Sequence, residues 1–220
     1  MARIHPISSV PVHEETHVAV ALHATDLAGH VGVVYRQQRA TRIVHLLFHL
    51  RLRDEDLRET GFRIWVDPAL PSSRGKSIAA FCRRVAKVNR RRGIPYAFSH
   101  PNRCFSVALG TYLFGPQRHG LTCSTFVLAI FSAMGVHLID YDADWPVRPE
   151  DEVAQAQLVE LLRETGANPE HVDTVSRQIG SVRYSPEDVG GAASVYPPPA
   201  TLERAQEGAA GVRAALTSAA

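Results

Sequence analysis

One cysteine in this chain has the surroundings that a nucleophilic thiol requires. Cys123 follows Thr122 and opens an apolar run that ends before Gly135, a pattern that predicts a helix with Thr122 as its N-cap. The free N–H groups and the dipole of a helix's first turn stabilise a thiolate at that position. The alternative is a small core residue, because free cysteines are commonly buried. Cys123 can therefore act as a nucleophile only if another part of the chain supplies a base.

Two histidines have the placement that a base and its orienting partner need. His30 opens a β-branched segment, and His45 lies within the next such segment between apolar neighbours. A cysteine nucleophile requires a base within hydrogen-bond reach and a third polar group that orients this base. Neighbouring strands would present both histidines from one face, and we expect the Cys123 helix to pack on that face. Each histidine taken singly is equally typical of a structural role.

A metal site is the other chemistry that the histidines suggest. His45 and His49 are four residues apart, a spacing that suits zinc ligands on a helix. The alternation of apolar residues from 42 to 53 favours a strand instead, and it would point the two side chains along one extended segment. We therefore predict neither a metal ion nor a cofactor.

The elements that must position these residues follow from the apolar periodicity. Alternation predicts four strands early in the chain, and the short gaps between them favour antiparallel pairing. Helical periodicity dominates afterwards, so the expected fold class is α+β, with a small antiparallel sheet packed against the Cys123 helix and additional C-terminal helices. The predicted strands cover 16–24, 30–36, 42–53 and 61–66, with an acidic loop at 54–59. The predicted helices cover 76–92, 105–114, 123–134, 150–164 and 169–179.

The length and the composition of the C-terminal segment suggest one domain with an appendage. A chain of 220 residues fits one large domain, which we assign to residues 1–180. From residue 181 the composition changes to Gly190-Gly191, Tyr196-Pro-Pro-Pro199 and an alanine-rich run. Residues 181–220 are therefore predicted to form a tail that is loosely helical or disordered.

Charge and cysteine content restrict the classes of partner and compartment. The net charge is only +2, so no nucleic acid partner is expected. Three widely spaced cysteines argue against a disulfide framework. The sequence contains no apolar run that resembles a signal peptide or a transmembrane segment. We therefore expect a reduced, soluble, cytoplasmic protein, with export by another route left open.

One predicted helix has a basic face. The helix at 76–92 buries one apolar stripe and covers much of the remaining surface with basic side chains. Such a face is either simply solvated or the binding site of an anionic partner. The residues concerned are Arg83, Arg84, Lys87, Arg90 and Arg91.

The chemistry-bearing segments resemble a known family. His30-Val-Gly-Val-Val-Tyr35, Arg42-Ile-Val-His-Leu46 and Leu121-Thr-Cys-Ser-Thr-Phe-Val127 resemble the circularly permuted branch of the NlpC-type papain-like cysteine enzymes, which includes lecithin:retinol acyltransferase. In that branch the order is histidine strand, polar strand, cysteine helix, as in residues 16–140 of this chain. The resemblance implies a papain-like fold with His30 as the base, His45 as the orienting residue and Cys123 as the nucleophile. It also favours Gln117 as a side-chain donor to the oxyanion.

Two classes of function follow. The first is a cysteine hydrolase or acyl transferase that acts on an amide, thioester or ester. The second is a catalytically inactive binding module that keeps the fold and uses the basic helix face, since a fold does not fix a function.

Overall fold

The chain folds around one six-stranded antiparallel sheet. The structure is a computed structural model that describes residues 4–24, 29–98, 103–115, 119–141 and 145–219. Its strands are β1 (Ile4–Pro6), β2 (Val18–His23), β3 (His30–Gln37), β4 (Ala40–Phe48), β5 (Arg51–Asp56) and β6 (Ile64–Val66). They lie in the order β1-β6-β2-β3-β4-β5, and all neighbours pair antiparallel.

Six helices accompany the sheet in the described part of the chain. They are α1 (Ser72–Asn89), α2 (Cys123–Ala133), α3 (Pro149–Glu164), α4 (Pro169–Ser176), α5 (Pro186–Ser194) and α6 (Leu202–Ser218). The predicted α+β class is confirmed. Within the described ranges, no helix combines the length and the apolar character needed to cross a bilayer.

The two faces of the sheet are covered by different parts of the chain. Successive residues of a strand point to opposite faces, and β3 turns Val31, Val33 and Tyr35 towards the large core that α1, α2 and α5 cover. Val34 faces a smaller cluster on the other side, over which the N-terminal segment around Val10 packs.

The histidines do not lie on the face that the cysteine helix covers. His30 and His45 lie over Phe62, a member of the smaller cluster, with ring centroids 5.7 and 5.3 Å from its ring. The prediction that the Cys123 helix packs on the histidine face is therefore wrong. The apolar stripe of α2 needs the face with the larger apolar side chains, and in β3 that face is opposite His30.

The predicted long strand at 42–53 is two strands. β4 ends at Phe48, β5 begins at Arg51, and the chain reverses at His49 and Leu50. Leu50 has a positive φ of 58°, and its backbone N–H donates to the Ile94 carbonyl at 3.0 Å. As a result, the first residues of the predicted acidic loop belong to β5.

Residues 105–114 were predicted as a short helix, and the structure shows an extended hairpin instead. Phe105 pairs antiparallel with Tyr112 in an isolated bridge, and the Ser106 N–H donates to the Thr111 carbonyl at 2.9 Å. Gly110 closes the turn with a φ of +74° and lies against the α1 backbone, where a Cβ would come within 2.9 Å of Arg84. This close approach requires glycine and excludes the helix.

The segment 181–220, expected as a loose tail, packs in the main core. α5 lies on β2, where a Cβ on Gly190 would come within 2.9 Å of Leu22. α6 packs on α5 and on β1. Gly191 of α5 and Gly208 of α6 lie where the two helices touch. A Cβ on either glycine would overlap the backbone of the opposite helix. The glycines and alanines that suggested disorder thus permit a close helix–helix contact.

Candidate active site

The first turn of α2 presents the cysteine. α2 begins at Cys123, and Thr122 forms a capping box with Thr125. The Thr125 N–H donates to Thr122 Oγ1 at 3.1 Å, and the Thr122 N–H donates to Thr125 Oγ1 at 2.8 Å. The predicted N-cap is confirmed. This cap fixes the start of the helix and so the direction of the Cys123 side chain.

The two histidines contact each other directly. His30 Nε2 and His45 Nδ1 are 2.8 Å apart, and both side chains are buried. Gly32 stands between them on the same face, where a Cβ would come within 2.8 Å of the His45 Cβ. Glycine at this position therefore leaves the room that the histidine pair occupies.

Glu55 extends the pair to a chain of three polar groups. Its Oε2 atom lies 3.4 Å from His45 Nε2. Sequence reasoning missed this residue because it placed 54–59 in a loop. The available signal was β5 itself: once the chain reverses at Leu50, alternation puts Glu55 beside Ile43, on the face that carries His45.

This chain of contacts determines where the protons lie. A carboxylate only accepts hydrogen bonds, so Glu55 requires a proton on His45 Nε2. A neutral His45 then has a bare Nδ1 that accepts from His30 Nε2–H. The remaining nitrogen of His30, Nδ1, is unprotonated and is the one that can accept a proton from a thiol.

One pocket brings the nucleophile and the base together. It encloses about 200 Å³ where β3 and α2 both begin, so that His30 and Cys123, each the first residue of its element, line the same space. The backbone of Val31, which adjoins the base, acts on the Cys123 thiol and lowers its pKa. Most of the other lining residues are apolar or small: Gly29, Leu47, Phe48, Tyr96, Phe98, Thr122, Ser124, Leu158, Leu161, Tyr184 and Pro186, together with His23 and Arg183.

His23 is a third histidine at this site, and sequence reasoning did not name it. It pairs with His30 across β2 and β3, and their ring centroids are 5.5 Å apart. Hairpin register was the signal that could have found it, since the last residue of β2 pairs with the first residue of β3. The connecting residues 25–28 lie outside the described part of the chain.

Burial keeps both reacting groups neutral at rest. It raises the pKa of the Cys123 thiol, against the opposing effects of hydrogen bonds from Val31 and Ser124 and of the Arg183 charge. Burial, with the neighbouring His45 and His23, lowers the pKa of His30 to about 3. The thiolate expected from the helix terminus is therefore not the resting form. The cost of burying an ion exceeds the help that the first turn gives.

The orienting histidine shows the same balance. Burial lowers the pKa of His45, and the hydrogen bond and charge of Glu55 oppose this shift. Neutral His45 is the form that the proton arrangement above requires.

The remaining predicted residues take other roles or cannot be placed. Gln117 lies outside the described residues, so the predicted oxyanion donor has no position. His49 Nδ1 accepts from the Tyr96 N–H at 3.2 Å, and His171 Nε2 donates to the Tyr96 carbonyl at 2.8 Å. His49 thus helps to hold the tyrosine that walls the pocket. Within the described ranges, no cluster of three or more His, Cys, Asp or Glu side chains could hold a metal ion.

The other two cysteines lack any such environment. Cys82 and Cys104 are buried and free. Burial raises the pKa of both thiols, that of Cys104 to about 12. They serve as internal references for the reactivity of Cys123.

Comparison of the chain with protein-family models, with curated proteins and with solved structures finds no match. The chemistry of the pocket must therefore be inferred from its own side chains and their geometry.

Proposed function

We propose that the protein is a cysteine hydrolase in which Cys123 is the nucleophile, His30 the base and His45 the residue that orients the base. The observation that carries the proposal is the buried 2.8 Å contact between His30 Nε2 and His45 Nδ1, together with a pocket that both His30 and Cys123 line. Glu55 supports the tautomer that leaves His30 Nδ1 free. A histidine pair with a purely structural role would not require His30 to line the same pocket as a cysteine.

The reaction follows from this proton arrangement. As Cys123 Sγ attacks the carbonyl carbon of the substrate, His30 Nδ1 takes the thiol proton. The oxyanion forms beside the first turn of α2, where the Cys123 backbone N–H can donate to it. His30 then returns the proton to the departing amine, alcohol or thiol, which leaves an acyl group on the cysteine. Water, deprotonated by His30, releases the acid and restores the thiol.

Chain order supports placing the protein in the permuted papain-like branch. The base strand β3, the strand β4 with the orienting histidine, and the cysteine helix α2 follow one another in that sequence. An antiparallel sheet with one helix carrying the nucleophile agrees with such a fold. The papain-like assignment is part of the proposal.

Acylation of the enzyme by an activated ester tests the function. On brief mixing with p-nitrophenyl butyrate at pH 7.5, mass spectrometry should find the butyryl group on Cys123 and not on Cys82 or Cys104. His30→Gln should prevent acylation, and Cys123→Ser should remove turnover without a change in unfolding temperature. Butyrylation spread evenly over the three cysteines would overturn the proposal.

The basic face of α1 favours one second function, attachment to an anionic lipid surface by a chain without catalysis. None of the ion pairs among the described residues involves this face. The adjoining hairpin exposes Val107, Leu109 and Leu113, and Arg84 donates to the Val107 carbonyl at 3.4 Å. Basic and apolar side chains together suit a surface that offers both anionic headgroups and acyl chains.

Vesicle sedimentation separates this function from the first. Vesicles with 30% phosphatidylserine should bind the protein, Leu109→Asp should weaken binding, and Val153→Asp on exposed α3 should not. Equal sedimentation with neutral vesicles, or no effect of Leu109→Asp, would remove this candidate.

A further inference from the structure

We infer that the pocket selects substrates in which a small apolar acyl group carries a carboxylate, and that Arg183 is the residue that recognises this carboxylate. The inference rests on the proposed function and names its substrate class. It comes from the composition of the pocket wall.

Arg183 is the charged residue of the described pocket lining. Within the part of the lining that the structure describes, the other residues are apolar, hydroxyl-bearing or histidine, and none of them carries a carboxylate. Burial lowers the pKa of both His23 and His30, so neither imidazole competes as a cation at neutral pH. Among the described lining residues, an anion therefore has one charged partner and a cation has none.

A buried network holds the guanidinium in place. Arg183 Nη1 donates to Asp151 Oδ1 at 3.0 Å. The fully buried Asp151 also accepts from Arg148 Nε at 2.8 Å, and Arg148 Nη2 donates to Asp188 at 3.0 Å. Asp188 in turn caps α5 through Ser185. Helix α3 therefore holds Arg183 directly through Asp151, and α5 holds the next member of the network, Arg148, through Asp188. Little further ordering of Arg183 is needed when a ligand binds.

The network leaves part of the guanidinium available. An arginine side chain has five N–H donors in a planar fork that matches a carboxylate. The described hydrogen bonds of the Arg183 side chain use Nη1 alone, towards Asp151. The side chain keeps 19% of its surface exposed, and it borders the pocket. The remaining donors can meet an anion that enters beside Cys123.

The position of this charge relative to the thiol defines the substrate further. Arg183 and Cys123 line the same pocket of about 200 Å³, and the charge of Arg183 lowers the pKa of the thiol against the effect of burial. The carboxylate and the scissile carbonyl must therefore lie close together in one small molecule or terminal group. The volume of about 200 Å³ is below that of ordinary drug-sized sites. The walls of Phe48, Phe98 and Leu158 leave the rest of that space to an apolar group.

Paired alkylating agents test the inference on the protein itself. Iodoacetate carries a carboxylate where iodoacetamide carries a neutral amide. The rate of Cys123 alkylation by iodoacetate divided by the rate with iodoacetamide therefore measures how strongly the pocket selects an anion. Arg183→Gln should lower this ratio by about fivefold or more, because the positive charge that attracts the carboxylate is lost. Arg177→Gln, which removes an exposed arginine outside the pocket lining, should leave the ratio unchanged.

A second measurement needs no variant and so does not depend on the folding of Arg183→Gln. On the wild-type protein, butyrate should protect Cys123 from iodoacetamide at concentrations where butyramide does not. Rising ionic strength should weaken the protection by butyrate. Equal protection by the two compounds, or an unchanged rate ratio in Arg183→Gln, would overturn the inference and leave the proposed function standing.

Failure of the proposed function has a different signature. In that case Cys123 would react with iodoacetamide no faster than Cys82 or Cys104, and His30→Gln would not slow it. The ratio of the iodoacetate and iodoacetamide rates therefore tests anion selection by Arg183, and the iodoacetamide rate at Cys123 tests the proposed function.

Discussion

Replacement of His45 by leucine or asparagine tests whether it orients the base. The Nδ1 atom of His45 accepts the Nε2–H of His30 at 2.8 Å in a buried site. Leucine offers no acceptor. Asparagine is shorter, but its side-chain oxygen occupies nearly the position of the histidine Nδ1, so it can accept the same hydrogen bond. The pair of variants separates loss of the acceptor from loss of the ring.

The expected size of the effect follows from the cost of a buried donor without a partner. Such a donor costs about 1–3 kcal/mol, which corresponds to a fall of roughly 5- to 150-fold in a rate that depends on the correct His30 geometry. We expect His45→Leu to show this loss in the alkylation of Cys123 by iodoacetamide at pH 7.5. His45→Asn should stay within about threefold of wild type, since its hydrogen bond with His30 persists.

The pH dependence gives an independent check. His45 is one of the groups that lower the pKa of His30, so its removal moves that pKa upwards. A larger fraction of His30 is then protonated at pH 5 and cannot act as a base. The slowing by His45→Leu should therefore be greater at pH 5 than at pH 8.

Rates are measured by quenched labelling and mass spectrometry of the Cys123 peptide, with the Cys82 and Cys104 peptides as folding controls. Labelling of those two buried thiols would reveal unfolding of a variant. The orienting role is refuted if both variants slow Cys123 to the same degree, or if neither does.

Three further changes probe the surroundings of the site. Gly32→Ala would press a methyl group against the orienting histidine, at 2.8 Å from its Cβ, and should lower the free energy of unfolding by about 1–3 kcal/mol and slow alkylation; Gly61→Ala, with open space around its Cα, should do neither, and equal effects would contradict the packing. Burial lowers the pKa of His30 to about 3, whereas the unfolded chain takes up this proton near ~6.5. The contribution of neutral His30 to the free energy of unfolding is therefore fully present above pH ~6.5. It falls as the pH drops towards 3, because the unfolded state binds more protons than the folded state. Urea midpoints at pH 7 and 4.5 should show this loss of stability, and the loss should be smaller in His30→Gln. If the variant loses as much stability as the wild type, His30 is not the source of the loss. Asp151→Ala leaves two buried arginine contacts without their carboxylate and should cost about 3–5 kcal/mol in urea unfolding. Glu160→Ala breaks an exposed ion pair and should cost less than about 1 kcal/mol, so similar losses would show the network to be unimportant.

Local sequence patterns identified the elements that carry the proposed chemistry. Strand alternation placed His30 and His45 on adjacent antiparallel strands, and the capping residue Thr122 set the start of the cysteine helix. These features depend on neighbours within a few residues, which is the range over which capping and alternation act. The pairing of the two histidines follows from them.

Features that depend on distant contacts were not visible in the sequence. The reversal at Leu50 interrupts no apolar alternation, and its positive φ is held by a backbone contact with Ile94. Glu55 was missed for the same reason, because its strand exists only once that reversal is known. Arg183 was likewise not identified from the sequence, since its place in the pocket depends on Asp151 in helix α3. The face of the sheet on which the Cys123 helix packs also depends on the strand order of the assembled sheet, which the local sequence does not specify.

The C-terminal helices give the site an order of assembly. The ribosome adds residues at about 5–20 per second, so several seconds separate the emergence of Cys123 from that of Arg183, Tyr184 and Pro186. These three residues form one wall of the pocket, and α5, which starts at Pro186, packs against the sheet. A growing chain thus holds its nucleophile and both histidines before it has the wall that would retain a substrate. The thiol therefore stays without a complete binding site until residues 183–186 have been added and α5 has packed on the sheet.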